Sequence, residues 1–381
     1  MVKKIRIAYL IDTISSDRAG TEKQLLNIIK QLDRNSFEVT LICLYASPWM
    51  SRNRLPCEVT TIGYKGFLKP NFPLVVRRYL HILRERQIDM VQTFFEDSMF
   101  VGGLGKIMSR KHHALVASRR DLGLGSDEPA YHWLFKKLRF LIFRCSDGIA
   151  VNAHAIKTYL SGHEKTPSEK ITVIGNGIYM PEPFSAPPAL FGKYNNDIWI
   201  GIAANLKPVK RIDVFLRALA HLKESQLIAG VHAVVLGEGR LRTDLLQLAT
   251  DLGIADRVHF VGAIDNVNDY LQCINIGVLC SDKEGLPNAI MEYMACGLPV
   301  VATDVGGVGE LVDDTNGISV PAGDYVALGK ALAKLVSSAS LRKEMGTNSL
   351  DKIRKRSTWD IIMPQWEIYY RSIVRKEASS C

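Results

Sequence analysis

The sequence contains no Cys-x-x-Cys pair and no cysteine–histidine ligand spacing. Its seven cysteines (Cys43, Cys57, Cys145, Cys273, Cys280, Cys296 and Cys381) stand singly within predicted elements. Neither a disulfide framework nor a zinc site is indicated, and a reducing compartment suits such a set. No apolar stretch approaches the roughly 18 residues of a membrane span. The basic start Met1-Val2-Lys3-Lys4 leads into an apolar run broken by Arg6 and Asp12, which reads as a first strand and not as a signal peptide. A cytoplasmic protein is expected. Short repeats and low-complexity segments are absent. Neither half shows Gly-x-Gly-x-x-Gly after a first strand, which disfavours a dinucleotide-dependent dehydrogenase; Gly237 and Gly239 make only a tight turn.

What remains is an ordinary globular composition of 381 residues, 47% hydrophobic and 23% charged, long enough for two domains. The net charge of +9 favours an anionic partner: a phosphorylated substrate, an anionic membrane surface or nucleic acid. No nucleic-acid-binding module is recognisable, so that partner is not expected.

Short β-branched runs alternate with helical patterns from Ile5 to Ile174, and a second such series starts at Ile198. This alternation predicts two α/β domains with parallel sheets, whose ligands bind beyond the carboxyl ends of the strands in a cleft that both sheets face. The expected boundaries are a first domain over 1–180, a proline-rich linker over 181–196 and a second domain over 197–358. A final helix near Trp359–Val374, apolar at Ile361, Ile362, Trp366, Tyr369, Tyr370 and Ile373, is expected to pack back on the first domain, carrying 359–381 with it.

The chemistry concentrates in Ser281-Asp282-Lys283-Glu284-Gly285-Leu286-Pro287-Asn288-Ala289-Ile290-Met291-Glu292. A strand ends, the chain turns at Gly285, and a short helix starts at Pro287 and stops before Gly297. Amides around Gly285, Leu286, Pro287, Asn288 and Ala289, aided by the helix dipole, make an anion site suited to a diphosphate. Glu284 and Glu292 bracket it with seven residues between them. On one reading they hold sugar and ribose hydroxyls; on the other, Glu284 complements a helix N-terminus and Glu292 faces solvent.

This segment resembles the Glu-x7-Glu signature of retaining glycosyltransferases of family 4, also called group 1. The motifs Val173–Ile178, Leu236–Gly239, Arg257–Gly262 and Pro299–Gly307 with Glu310 follow in the family's order. The resemblance implies the GT-B architecture of two Rossmann-like domains and a nucleoside diphosphate sugar as donor. It makes Glu284 the contact to the transferred sugar and Glu292 the contact to ribose. Lys210 takes the position of a phosphate-binding lysine, which would stabilise charge on the leaving diphosphate; Glu284 and Lys210 are thus the catalytic candidates. Asn205 departs from the family, many members of which carry a second phosphate-binding arginine there; Lys207 and Arg211 are the candidate substitutes. Gly20, in Arg18-Ala19-Gly20-Thr21-Glu22, resembles the family's glycine loop near the phosphates, although an ordinary helix entry reads equally well.

On the acceptor side, the family's histidines are replaced by Gln92–Asp97 and by Arg119-Arg120-Asp121. Glu96, Arg120 and Asp121 are the candidates there, with Glu96 or Asp121 as a proton acceptor unless the leaving phosphate takes the proton itself. No Asp-x-Asp stands where a diphosphate-bound metal would be held, so no metal or other cofactor is expected. The expected role is extension of a cell-surface polysaccharide or lipid-linked glycan. The rival readings are a sugar-nucleotide epimerase of the same architecture and a non-catalytic nucleotide-binding subunit.

Trp133–Arg144 mixes aromatic and basic residues as an interfacial helix does, although a core helix with a charged edge reads equally well. With Arg77, Arg78, Arg84, Arg86, Arg110 and Lys111 it suggests reversible contact with the anionic inner face of a membrane. Basic residues near such a surface contribute on the order of 1 kcal/mol each, screened by salt. The protein is therefore expected to co-sediment with anionic liposomes at low salt, to leave them at high salt and to ignore neutral ones. Replacing Lys136, Lys137 and Arg139 by glutamine should weaken binding without loss of helical circular dichroism. Salt-insensitive binding would return the segment to the role of a core helix.

Overall fold

The structure, a computed structural model, describes residues 4–109, 113–121, 141–184, 186–194 and 196–379. The chain divides into two compact units, the first comprising Met1–Gly177 and Trp359–Cys381, the second Ile178–Thr358.

The first unit is built on seven strands: β1 (Ile5–Ile11), β2 (Phe37–Cys43), β3 (Glu58–Thr61), β4 (Met90–Phe94), β5 (Ala114–Arg119), β6 (Gly148–Val151) and β7 (Ile171–Val173). They lie in the order β3-β2-β1-β4-β5-β6-β7, every pair parallel. Ile7 to Ile11 are wholly buried, as expected of a strand covered by helices on both faces. Helix Phe72–Glu85 supplies one cover, burying Val75, Val76, Tyr79, Ile82 and Leu83 at helical spacing.

Helix Trp359–Ser379 supplies another. Its Trp359, Ile362, Met363, Trp366, Tyr369, Tyr370 and Ile373 share one apolar cluster with Ile7, Tyr9, Phe37 and Phe94. Inside it the Tyr370 hydroxyl donates to Gln92 Oε1 at 2.7 Å and accepts from Tyr9 at 3.1 Å, so neither phenol is left without a partner. Truncating the buried Trp366 to alanine would cost about 3–5 kcal/mol. The segment Trp133–Phe143 falls outside the described residues up to Phe140, as do Arg110 and Lys111. Residues 141–145 are helical, with Ile142 and Phe143 buried.

The second unit has six strands: β8 (Ile198–Ala203), β9 (Val231–Leu236), β10 (Val258–Gly262), β11 (Ile276–Leu279), β12 (Val300–Thr303) and β13 (Gly317–Val320). Their order is β10-β9-β8-β11-β12-β13, again all parallel. The two sheets are Rossmann-like, as the sequence pattern implied. The segment 181–196, read as a linker, carries helix Ala189–Gly192 within the second unit. Phe191 is its anchor, buried with its ring centroid 4.6 Å from that of Trp199. The prolines disguise this anchoring, because they remove the periodicity that would reveal an apolar face.

A ring layer crosses the amino-terminal ends of β8, β9 and β10. Trp199, His232 and His259, each the second residue of its strand, pack with Tyr194. His232 Nδ1 lies 3.1 Å from His259 Nε2, and His232 Nε2 lies 2.9 Å from Asp197 Oδ2. Burial depresses both imidazole pKa values, opposed at His232 by Asp197 and reinforced at His259 by His232 and Lys193. Two histidines held neutral contribute full stability above their ordinary pKa of 6.5. As pH falls below that value the unfolded chain takes up protons first, and the contribution is lost towards the depressed folded values. The two histidines therefore lower the melting temperature as pH falls from about 7.5 to about 5.5, and over that interval His259→Gln should lose roughly 2 °C less, or gain roughly 2 °C more, than wild type. Identical pH slopes for variant and wild type would refute the assignment.

Candidate active site

In the second unit the chain leaves β8 towards β9 on one side, whereas β11 leads to β12 on the other. Adjacent strands whose connections diverge leave a crevice at their carboxyl ends, where open α/β sheets take ligands. The loops bounding this crevice are 204–211 after β8 and 280–287 after β11, and they hold most of the predicted donor residues.

Lys210 Nζ donates to Glu284 Oε1 at 2.6 Å, joining the two catalytic candidates across 74 positions of sequence. Both side chains are largely shielded, at 27% and 11% exposure, which strengthens their attraction relative to a surface pair. The Ser281 hydroxyl donates to the same carboxylate oxygen at 2.6 Å, and the Ser281 carbonyl in turn accepts from Thr303 Oγ1 at 2.7 Å. Glu284 is thus held from β8, β11 and β12 together. The loops are also tied by backbone, Asp282 N–H donating to Val209 O at 2.9 Å.

Asn205 and Lys207 are exposed. Arg211 has a different fate from the one expected. Its left-handed backbone (φ 46°) precedes helix Ile212–Glu224, and its guanidinium bonds Asp213 and Asp282 at 3.1 Å. The Asp213 hydrogen bonds, with both carboxylate charges, push its pKa further up. This cation is already matched by two anions, so it is a poor substitute for the arginine missing at Asn205.

Helix Asn288–Ala295 begins one residue later than its proline suggested. Pro287 occupies the N-cap and provides no side-chain cap, leaving the helix start to backbone and ligand chemistry. Leu286 and Asn288 are partly buried beside it, with Gly285 and Pro287 buried. Glu292 lies one turn in, and is also partly buried. The helix ends in a Schellman motif: Leu298 N–H donates to Tyr293 O and Gly297 N–H to Met294 O, with Gly297 at φ 69°. Between these ends the Tyr293 hydroxyl accepts from Ala203 N–H at 2.7 Å and donates to Val278 O at 3.1 Å, fastening the helix to β8 and β11. Gly237 (φ 140°) lets the loop after β9 lie against the loop carrying Asn205, since a Cβ there would stand 2.1 Å from Ala204 O.

The first unit has its own divergent pair, β1 and β4. Gly20 is exposed at the start of helix Gly20–Gln31, and the loop before it folds onto Glu22, whose carboxylate accepts from Ser15 N–H and Ser16 N–H at 2.8 Å. Asp12, just beyond β1, accepts from Ser98 N–H at 3.0 Å and from its hydroxyl, serving helix Glu96–Met108 in place of the capping side chain that Phe95 lacks. Burial pushes the Asp12 carboxyl up to about 7, with Asp97 and Glu96 adding to the rise. Glu96 and Asp121 converge on Arg119: Glu96 Oε1 is 3.5 Å from its Nη1, and Asp121 Oδ1 is 3.4 Å from its Nε. Arg120, the first residue past β5, bonds Asn176 Oδ1 at 2.9 Å instead. Among the described residues no group of three histidine, cysteine or acidic side chains is placed to hold a metal ion, and no helix is long and apolar enough to cross a membrane.

Comparison with known proteins establishes the family. The family described as Glycosyltransferase Family 4 matches residues 18–180, and Glycosyl transferases group 1 matches 197–338. N-acetyl-alpha-D-glucosaminyl L-malate synthase of Bacillus anthracis is 30% identical over 333 residues, 84% of either chain. The chain is a family 4 glycosyltransferase. A Campylobacter jejuni alpha-1,4-N-acetyl-D-galactosaminyltransferase, named for a diphosphate-undecaprenol-linked substrate, is 24% identical over 92% of this chain and 94% of its own. Anabaena HepE in complex with UDP and glucose has the same fold, with a TM-score of 0.82 at 22% identity, covering 97% of this chain and 100% of that one.

The candidate site owes several features to residues that sequence reading passed over. Ser281 and Asp282 stood inside the quoted motif, but their partners Glu284 and Arg211 are chosen by the fold. Asp12 gave only the signal of a carboxylate directly after a strand. Gly306 shows how tightly the site is built: at φ 55°, a Cβ on it would lie 1.9 Å from Glu284 O. Gly306→Ala should therefore displace the Glu284 loop, lowering initial rates of sugar transfer more than about tenfold and the melting temperature by roughly 2–4 °C. Wild-type rates in this variant would show that the loop's position is immaterial.

Proposed function

We propose that this glycosyltransferase moves a sugar, with retention of anomeric configuration, from a nucleoside diphosphate sugar to a growing cell-surface polysaccharide or lipid-linked glycan. The observation that carries the reading is the Lys210–Glu284 pair at the mouth of helix Asn288–Ala295. The helix start and Lys210 Nζ receive the diphosphate, Glu284 accepts from hydroxyls of the transferred sugar, and Glu292 accepts from the ribose. As the bond to the anomeric carbon breaks, negative charge grows on the leaving phosphate and Lys210 stabilises it most in the transition state. Since Lys210 also faces Glu284, donor binding exchanges part of that ion pair for phosphate contacts.

Glu96 and Asp121 share Arg119 and are poorly disposed as bases, which favours a front-face course in which the leaving phosphate takes the acceptor proton. No metal takes part, and the reaction proceeds at the inner face of a membrane to which basic residues of the first unit are drawn. Relatives named for diphosphate-undecaprenol substrates are in keeping with a lipid-linked acceptor.

Four outcomes are expected. Lys210→Ala should lower turnover at least about tenfold, with a smaller change in donor affinity. Glu284→Gln should reduce transfer while nearly preserving diphosphate affinity, whereas Glu292→Gln should weaken nucleotide binding itself. Activity should survive EDTA. Initial rates, with thermal shifts on UDP, GDP and ADP, check all four, and a pure affinity defect in Lys210→Ala would overturn its role. Product analysis separates the epimerase reading, which requires an epimer of the free sugar nucleotide, and donor hydrolysis separates a non-catalytic subunit.

A further inference from the structure

At the carboxyl edge of the first sheet, three consecutive strands each deliver a polar residue to one place. Arg120 follows β5, Asn152 follows β6 and Asn176 lies three residues past β7. Asn152 and Asn176 are 4% and 3% exposed. Arg120 Nη1 donates to Asn176 Oδ1 at 2.9 Å, Asn152 Nδ2 donates to the same oxygen at 3.3 Å, and the Arg120 guanidinium lies 5.6 Å from the Phe94 ring centroid.

The neighbouring arginine shows by contrast what is unusual here. Arg119 points to Glu96 and Asp121, two carboxylates. Arg120 has an amide and an aromatic face for company and no carboxylate partner among the described residues. Loss of water around it lowers its pKa to about 10, with only the Tyr370 phenol acting in the other direction. Arg120 Nε and Asn152 Oδ1 are both shielded from solvent without a hydrogen-bond partner among the described residues. A partly exposed cation with no counter-charge among the described residues, beside a shielded donor and a shielded acceptor that lack partners there, is an unfavourable arrangement unless a ligand completes it.

We propose that Arg120, Asn152 and Asn176 form an acceptor subsite for a sugar bearing an oxyanion, the anion meeting the Arg120 guanidinium and a sugar hydroxyl donating to Asn152 Oδ1. This rests on the reading of Glu96, Arg120 and Asp121 as acceptor-side residues of a glycosyltransferase. The oxyanion is a phosphate or a carboxylate; a guanidinium fork suits both.

The test uses the full chain saturated with UDP, which occupies the donor site and keeps phosphate probes out of it. Thermal shifts are measured with glucose, glucose 1-phosphate and glucuronate. At least one of the two anionic sugars should raise the melting temperature where glucose does not, and which one does so identifies the anion. Arg120→Gln should weaken that ligand about tenfold or more, and Arg120→Lys, which keeps charge but loses the fork, by less. Equal shifts with glucose, or an anionic shift that survives Arg120→Gln, would overturn the proposal. If the glutamine variant fails to fold, an unweakened anionic shift in Arg120→Lys together with no salt dependence in wild type would overturn it equally. The shift given by UDP alone reports on the donor reading independently, so failure of one is distinguishable from failure of the other.

Discussion

The candidate donor site depends on the adjacency of β8 and β11, two strands that are neighbours in space and far apart in sequence. Their pairing at Ile276–Ile200 and Gly277–Gly201 brings Lys210 within reach of Glu284. The Tyr293 hydroxyl, bonded to Ala203 and Val278, then fixes the helix that carries Glu292 to the same two strands. A shift of either strand would separate the lysine from the carboxylate and uncouple the helix start from both. The apolar layers beneath, with Val278, Val301 and Phe215 on one face and Tyr293, Met291 and Val300 on the other, act as the stiff base that such positioning requires.

The local punctuation of the site was legible in sequence. Gly285, Pro287 and Gly297 each mark a backbone event that the residue type itself favours, and helix and loop appeared close to where they were read. Pairings were not legible. That Arg211 is matched by Asp213 and Asp282, or that Glu96 and Asp121 meet on Arg119, is decided by which strands lie side by side, and no local pattern encodes that. Helix Glu96–Met108 escaped assignment for a related reason. Gly102, Gly103 and Gly105 erase its apolar stripe, yet they are what lets it lie close to its neighbours, a Cβ at Gly105 standing 2.2 Å from the Tyr79 ring. Phe191 was hidden likewise, its single apolar anchor lost among prolines.

Charge is distributed between the two units in distinct ways. In the second unit, Lys210 and Arg211 beside the crevice are already paired with internal carboxylates, so an anionic ligand would compete for them. In the first unit, Arg119 is paired in the same manner, while Arg120 has no carboxylate partner among the described residues. Internal pairing makes a cation selective, since only a ligand able to outbid the carboxylate displaces it; an uncompensated cation responds to any oxyanion that fits.

Helix Trp359–Ser379 makes the first unit discontinuous in sequence, because the cover over Tyr9, Phe37 and Phe94 lies beyond the second unit in the chain. On a ribosome adding about 5–20 residues per second, the strands of the first sheet therefore wait roughly 10–40 s, while the second unit is translated, before their apolar face can close. During that interval the second unit, contiguous from Ile178 to Thr358, has every residue it needs. The second unit can therefore close from contiguous chain, whereas the first has its full apolar cover only once residues on the far side of the second unit have been made.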